Sequence, residues 1–110
     1  MANDISIVLF PVKDVASAKS LYNTFLGTEP YADSPYYVGY KAGNMEIGLV
    51  PSGASIVTYI DVEDIEASLK ELEAAGGTVA QAPTNVGGGL LVASFKDADG
   101  NVLGLRQPPK

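Results

Sequence analysis

The fold is decided by residues 59–77, which read YIDVEDIEASLKELEAAGG. The segment begins in an apolar run that is typical of a β-strand. Asp64 then stands where a helix N-cap belongs, because its carboxylate can accept a hydrogen bond from an early helical N–H. Apolar residues recur at helical spacing after it, and a glycine pair follows, as is usual where helices end. The segment therefore predicts a strand followed by a helix over residues 64–75.

The same pattern occurs 50 residues earlier, where Asp14 takes the place of Asp64. A Gly-Thr pair closes both predicted helices, at 27–28 and 77–78. The two halves also end alike, since residues 47–49 (IGL) align with residues 103–105 (LGL) at an offset of 56. The chain therefore contains an internal repeat. Its second half is about six residues longer, and we assign this insertion to the glycine-rich stretch 85–89.

Each half predicts a strand, a helix and three further strands. The predicted strands are 4–10, 28–33, 35–42 and 44–50 around a helix at 14–26, then 54–62, 78–84, 89–96 and 101–107 around a helix at 64–75. Turn residues at 41–44 and 97–101 predict hairpins. The second turn looks superficially like a calcium loop, but it lacks the full ligand pattern and predicts a plain turn. We expect one domain, residues 1–110, made of modules at about 1–52 and about 53–110.

Composition narrows the function. The chain has 110 residues, 46% hydrophobic and 18% charged, which is typical of a globular domain. The net charge is −6 with scattered Lys and Arg, so we expect no nucleic-acid partner. The start, MANDISIVLF, lacks a basic leader, and no apolar stretch approaches the ~20 residues that span a bilayer. We therefore expect a cytoplasmic protein without a membrane partner.

The chain contains no histidine and no cysteine. Catalytic triads that use either residue are therefore impossible within this chain, as are disulfides and thiolate chemistry. Zinc, iron and copper sites built on imidazole or thiolate ligands are also excluded. Only carboxylate and carbonyl oxygens remain as ordinary metal ligands.

The repeat resembles the glyoxalase/bleomycin resistance protein/dioxygenase superfamily, also called vicinal oxygen chelate. The resemblance rests on LFPVKD at residues 9–14 before the first helix, on residues 59–77, and on FKDADGNVLGL at residues 95–105. Ala98 replaces the proline that the family usually has in its closing segment. The resemblance implies an α+β fold: two tandem βαβββ modules forming a cup-shaped mixed sheet with helices on the outside. It also implies a homodimer, for which exposed edge strands offer a physical motive.

The resemblance further implies where metal ligands would lie, on the first and last strands of each half. Those positions are Ile7 and Gly48 in the first half, and Val57 and Gly104 in the second. None of these side chains can ligate a metal. We therefore expect a metal-free branch of the family without a cofactor, and no metal-dependent glyoxalase, dioxygenase or fosfomycin-transferase activity.

Alternation along the strands then predicts a ligand-binding surface, because residues two apart share a face. The expected lining is mainly apolar with a few polar groups: Ile5, Ile7, Leu9, Glu46, Gly48, Val57, Tyr59, Asp61, Val102, Gly104 and Arg106. The two glycines mark either a close approach of backbones or space for a bulky ligand. Glu46 and Arg106 are either ligand contacts or a surface pair.

Four of the six tyrosines, Tyr31, Tyr36, Tyr37 and Tyr40, lie within ten residues. They predict stacking on a ligand or a dimer seam, with ordinary strand preference as the alternative.

Three functions fit these features. The first is a protein that binds a small organic, ring-containing molecule without chemistry and sequesters an antibiotic or metabolite; it needs no catalytic residue. The second is a metal-independent isomerase or lyase, in which Glu46 or Asp61 is the base and Tyr59 or Arg106 stabilises an oxyanion. The third is a non-catalytic structural or interaction module.

Overall fold

The structure is a computed structural model that describes residues 4–53 and 55–109. Within these residues the elements follow in the order β1 (Ile5–Pro11), α1 (Val15–Leu26), β2 (Ala32–Ser34), β3 (Tyr37–Ala42), β4 (Met45–Val50), β5 (Val57–Asp61), α2 (Ile65–Ala74), β6 (Thr78–Asn85), β7 (Leu91–Lys96) and β8 (Val102–Gln107). The predicted α+β class and the two tandem βαβββ modules are confirmed. Neither helix of the described residues is long and apolar enough to cross a membrane.

Two compact units follow from the contacts within the chain. The first unit is Ser6–Val57, and the second is Thr58–Lys110 with the N-terminal segment that ends at Ile5. In the first unit the strand order is β2-β3-β4-β1, with β1 parallel to β4 and the other neighbours antiparallel. In the second unit the order β5-β8-β7-β6 repeats this arrangement, with β5 parallel to β8.

Helix α1 begins and ends as the sequence predicts. The Asp14 carboxylate accepts hydrogen bonds from the backbone N–H groups of Ala16 (3.1 Å) and Ser17 (3.3 Å). The Ser17 hydroxyl donates to the same carboxylate at 2.9 Å, and this bond is the main reason that the pKa of Asp14 lies below its usual value. Gly27 ends the helix with φ 70°, a left-handed conformation that glycine adopts without strain.

The core of the first unit lies between α1 and one face of its sheet, which we call the helix face. Tyr40, Val38 and Leu49 are fully buried there. Fully covering such side chains stabilises the fold by about 1.5–3 kcal/mol each. The partly buried residues packed on this cluster come from β1, α1 and the β3–β4 hairpin: Val8, Phe10, Val12, Ala18, Tyr22, Leu26, Ala42 and Met45.

The second unit repeats this packing. Asp64 caps α2 by accepting from the Ala67 N–H at 3.1 Å, and Ile65 is 1% exposed. The helix packs on a cluster drawn from three strands: Ile60, Ala93, Phe95, Leu103 and Leu105. Alternation therefore assigns these residues to the helix face and their neighbours to the opposite face of the sheet.

Several predicted boundaries were wrong: β3 begins at Tyr37 and not at residue 35, β7 begins at Leu91 and not at residue 89, and two further shifts have a clear backbone cause. Strand β2 begins at Ala32, not at residue 28, because Pro30 has no N–H for the ladder and the first bond runs from Tyr31 N to Gly39 O (2.9 Å). The glycine with positive φ that ends helix α2 is Gly76, with φ 112°, and not Gly77 as predicted. Gly77 lies one position later and donates its N–H to Leu72 O (2.9 Å), as in a Schellman motif.

The two predicted hairpins are present, and the longer of the loops is a plain turn. The Asp97 carboxylate accepts from the backbone N–H groups of Asp99 and Asn101, each at 2.9 Å. The Asn101 side chain donates to it at 2.8 Å and is the main cause of the lowered pKa of Asp97. The extra residues of the second half lengthen β6 and its turn, which closes through Val86 N to Leu90 O (3.0 Å).

Candidate functional site

The predicted lining residues of the first unit lie on the sheet face opposite α1. In the β1–β4 ladder Ile7 is the partner of Glu46, and Leu9 is the partner of Gly48. The residues that alternate with them, such as Val8, pack under the helix. The strand period therefore brings the apolar pair and the carboxylate together on one surface.

Tyrosine rings cover the glycines of this face. Gly48 pairs across the ladder with Gly39, so two side chains are missing at adjacent positions. A Cβ on Gly48 would lie 2.8 Å from Tyr37 Cε1 and 2.6 Å from Leu9 Cδ2. A Cβ on Gly39 would lie 2.7 Å from Tyr37 Cε2 and 3.0 Å from Tyr31 Cζ. The Tyr37 ring thus approaches both bare backbones, with Cε1 toward Gly48 and Cε2 toward Gly39, and a larger side chain at either position would exclude it.

Glu46 is held by a phenol. The Tyr31 hydroxyl donates to Glu46 Oε1, and Lys41 Nζ lies 5.4 Å from the centre of the Tyr31 ring. Lys41 is also the cross-strand partner of Glu46. Burial, then the hydrogen bonds to Glu46 and to Tyr37, raise the pKa of Tyr31 well above its usual range. Tyr31 is therefore a neutral hydrogen-bond donor at every physiological pH, and it fixes one carboxylate oxygen of Glu46.

The second unit has a corresponding arrangement. Tyr59 is the ladder partner of Gly104, and a Cβ on Gly104 would lie 2.3 Å from Tyr59 Cδ2. Burial raises the pKa of Tyr59, and Arg106 partly opposes this effect. Both interpretations of the two glycines therefore need correction. The nearest atoms belong to side chains and not to backbone, and the space beside Gly48 and Gly104 is filled by rings of the same chain.

Asp61 and Arg106 form the polar pair of the second unit. Arg106 Nε donates to Asp61 Oδ1 at 2.9 Å, and a second guanidinium nitrogen donates to Oδ2 at 3.4 Å. The Asp61 side chain is 41% exposed, so solvent screens the attraction and the pair stabilises the fold little. Glu46 and Arg106, for which a mutual surface pair was one alternative, each bind a partner in their own unit.

The three remaining predicted lining residues are Ile5, Val57 and Val102, and all three are at least partly exposed. Ile5 is 46% exposed, whereas Ile7 is only 5% exposed. Val57 and Val102 are half-buried.

The sequence interpretation missed Tyr31 and Lys41 as neighbours of Glu46, and Tyr37 as the ring beside Gly39 and Gly48. A signal was available for two of them, because Tyr37 and Lys41 lie two residues before and after Gly39, on the same side of β3. The other two tyrosines of the cluster have separate surroundings. Tyr40 is in the core, where its hydroxyl donates to Asn23 Oδ1 at 2.6 Å, and Tyr36 is 79% exposed.

The donor set does not fit the metal site that the resemblance implies. Among residues 4–53 and 55–109, no three Asp, Glu, His or Cys side chains are grouped so as to hold a metal ion. The four implied positions carry isoleucine, valine and two glycines. Tyrosine rings fill the space beside both glycines.

Helix α1 carries two exposed apolar side chains that lie close together. Leu21 is 69% exposed and Phe25 is 77% exposed, one turn apart on the outer surface of the helix. Together with Phe10 and Tyr22 they line a groove of about 310 Å³. The sheet edges are less suited to pairing: β2 has three residues, and β6 contains Pro83 and two register shifts. The expected motive for a homodimer through edge strands is therefore weak.

The sequence matches a known protein family. The profile of the Glyoxalase/Bleomycin resistance protein/Dioxygenase superfamily matches residues 4–105. None of the curated proteins is a significant sequence match.

Among solved structures, a hypothetical protein of Bacillus halodurans C-125 is 18% identical, with a TM-score of 0.81 over 100% of this chain and 97% of that one. Methylmalonyl-CoA epimerase of Mycobacterium tuberculosis is 15% identical, with a TM-score of 0.72 over 96% of this chain and 88% of that one. The Mn(II)-bound glyoxalase of Novosphingobium aromaticivorans is 22% identical, with a TM-score of 0.72 over 96% of this chain and 38% of that one. At these identities the likeness establishes a shared fold and no shared activity.

Proposed function

The chain belongs to the glyoxalase/bleomycin resistance protein/dioxygenase superfamily, and we propose that within it the chain is a metal-independent protein that binds a small, ring-containing organic molecule. Sequestration of an antibiotic or metabolite in the cytoplasm is the role that we assign to this binding. The proposal requires no cofactor and no catalytic residue.

One observation carries the proposal. In both units the closing-strand glycine, where the resemblance implies a metal-ligating side chain, lies under a tyrosine ring: Tyr37 over Gly48 and Tyr59 over Gly104. The same substitution in both halves exchanges a ligating position for an aromatic surface. Aromatic rings recognise organic molecules through stacking and apolar contact, which needs no metal.

The composition of the sheet face supports an organic ligand. Leu9 and the two rings Tyr31 and Tyr37 provide apolar area beside a single fixed carboxylate, Glu46. Ligand sites commonly combine a mainly apolar lining with a few polar groups that fix orientation. Each Å² of apolar area that a ligand covers contributes about 25 cal/mol.

A metal-independent isomerase or lyase is the second candidate, and the Tyr31–Glu46 contact favours it. A carboxylate beside a phenol pairs a possible base with a hydrogen-bond donor for a developing oxyanion. Turnover would distinguish the two: a binding protein returns its ligand unchanged, whereas an isomerase or lyase changes the ligand's mass or stereochemistry.

A thermal-shift screen of aromatic antibiotics and metabolites tests the proposal, followed by mass spectrometry of each hit after prolonged incubation. We expect hits that raise Tm and are recovered unchanged. A Tyr37→Leu variant should lose the shift, whereas Tyr36→Leu, at an exposed turn position, is the matched control and should retain it. Chemical conversion of a hit would replace the binding function with the second candidate, and a screen without hits would contradict both.

We also propose that the chain forms a homodimer through the outer face of α1. Leu21 and Phe25 provide the apolar contact. Helix α1 contains no acidic residue although the net charge of the chain is −6, so two copies meeting there avoid the repulsion that their other surfaces would cause. The corresponding helix α2 contains three glutamates and lacks this property.

A further inference from the structure

We propose that Tyr31, Tyr37 and Glu46 form an anchoring site for the ammonium group of a ring-bearing ligand, with Lys41 as an internal competitor for that site. The inference rests on the proposed binding function and names the chemical class of its ligand. We call these four residues the ammonium site; all of them lie in the first unit.

The carboxylate of Glu46 is prepared to receive a donor. Tyr31 donates its hydroxyl to Oε1, which restrains the side chain and leaves Oε2 for another partner. An ionised carboxylate accepts hydrogen bonds only, so the complementary ligand group is a donor and preferably a cation. A ligand carboxylate or phosphate would meet repulsion at the same atom.

Two aromatic rings meet beside Gly39, and one of them, Tyr31, bonds to this carboxylate. The Tyr37 ring lies over the Gly39–Gly48 pair, and Tyr31 atoms lie 3.0 Å from the Cβ position of Gly39. The faces of tyrosine rings attract cations through their quadrupole, within about 6 Å of the ring centre. Glu46, with Tyr31 bonded to it and Tyr37 next to Tyr31, therefore attracts an ammonium electrostatically and offers aromatic area to the ligand's own ring.

Lys41 already places a cation near one ring of the site. Its Nζ lies 5.4 Å from the Tyr31 ring centre, and its backbone is in register with Glu46. Lys41 is exposed and carries a long flexible chain, so a ligand ammonium can displace it at little cost. Its removal should therefore strengthen binding of a cation, a sign opposite to that of every other substitution in the site.

The test uses benzylammonium as the probe, with benzyl alcohol as the uncharged analogue of the same shape and benzoate as the anion. Each is titrated into the full chain, and binding is followed by backbone amide NMR shifts, since ligands of this size bind with roughly millimolar affinity. We expect shifts centred on Glu46 and Gly48. Benzylammonium should bind about two- to fivefold more tightly than benzyl alcohol, with benzoate weakest.

Three variants locate the effect. Glu46→Gln should remove the preference for benzylammonium over benzyl alcohol. Tyr31→Phe keeps the ring and loses the hydroxyl, so the preference should fall about two- to threefold while binding of benzyl alcohol is unchanged. Lys41→Gln should strengthen benzylammonium binding about two- to threefold without affecting benzyl alcohol. Thermal denaturation of each variant establishes that it is folded.

The outcomes separate this inference from the proposed function. Equal affinity for the charged and uncharged probes, or weaker benzylammonium binding by Lys41→Gln, would overturn the ammonium site. A screened compound that binds while its NMR shifts avoid Glu46 and Gly48 would also overturn it, yet would leave the binding function standing. If neither the probes nor any screened compound binds, both fail.

Discussion

The contact between Tyr59 and Gly104 predicts a specific energetic coupling. An added methyl group in Gly104→Ala would lie 2.3 Å from Tyr59 Cδ2, whereas carbon atoms in favourable contact are at least about 3.5 Å apart. The ring must therefore retreat by more than about 1 Å. Overpacking of this kind costs about 1–3 kcal/mol. Alanine in a strand interior recovers about 0.5–1 kcal/mol relative to glycine, so the net loss of stability should be about 0–2.5 kcal/mol.

The expected net loss of stability includes zero, so Gly104→Ala alone does not test the contact. A double-mutant cycle with Tyr59 isolates the cost of overpacking. In a Tyr59→Ala background the obstacle is gone, and Gly104→Ala should stabilise the protein by about 0.5–1 kcal/mol. The coupling between the two positions should therefore be about 1–3 kcal/mol. Urea unfolding resolves this, because the slope for a small domain is about 1–3 kcal/mol per M and the midpoint shifts correspondingly.

Tyr59→Phe is the matched control, since it keeps the ring and removes only the hydroxyl. The cycle with phenylalanine at position 59 should show the same loss on Gly104→Ala as the parent chain. If Gly104→Ala has the same effect in the parent and in the Tyr59→Ala background, within about 0.5 kcal/mol, then the ring does not occupy the space over the glycine and the reasoning is refuted.

Three further predictions follow from single contacts. Tyr40→Phe removes the partly buried bond to Asn23 Oδ1 and should lower the free energy of unfolding by about 0.5–1.5 kcal/mol, measured by urea unfolding; an unchanged value would contradict the bond. Burial, with the bond to Glu46, raises the pKa of Tyr31, so the folded state keeps a proton that the unfolded state loses and stability should fall as pH rises above the usual tyrosine value of 10.0; Tyr31→Phe should reduce this loss in unfolding measured at about pH 8 and about pH 11, and an identical slope would contradict the raised pKa. Replacing both Leu21 and Phe25 by serine should convert dimer to monomer in light scattering and lower Tm by the stability that association contributed; a dimer that persists would exclude the α1 face.

The fold was accessible from the sequence because local signals agree with the global pattern. Asp14 and Asp64 cap the two helices as predicted, and the alternation of Val8, Phe10, Ile47 and Leu49 identified the helix face. The predicted boundaries of β2 and α2 were wrong because a single residue decides the local backbone conformation there. Pro30 delays β2, and Gly76 takes the left-handed conformation that was assigned to its neighbour.

The site was harder to predict from the sequence, because it depends on side chains that contact residues of neighbouring strands. The sequence shows that Gly48 lacks a side chain, but not that Tyr37 leans across from the neighbouring strand into that space. The alternation rule gives the face of Glu46 but not its partner Tyr31, which precedes β2 and lies in no regular strand. Contacts of this kind are set by tertiary packing, on which single-sequence patterns carry little information.

The central claim is that binding needs no metal, and one measurement tests it most directly. A ligand from the screen is titrated by calorimetry into the full chain after treatment with a chelator, and again after Mn²⁺, Ni²⁺ or Zn²⁺ is added in excess. The account predicts the same affinity and stoichiometry in every titration, because Gly48 and Gly104 offer tyrosine rings in place of metal ligands. Binding that vanishes in the chelated protein and returns with a metal ion would contradict it.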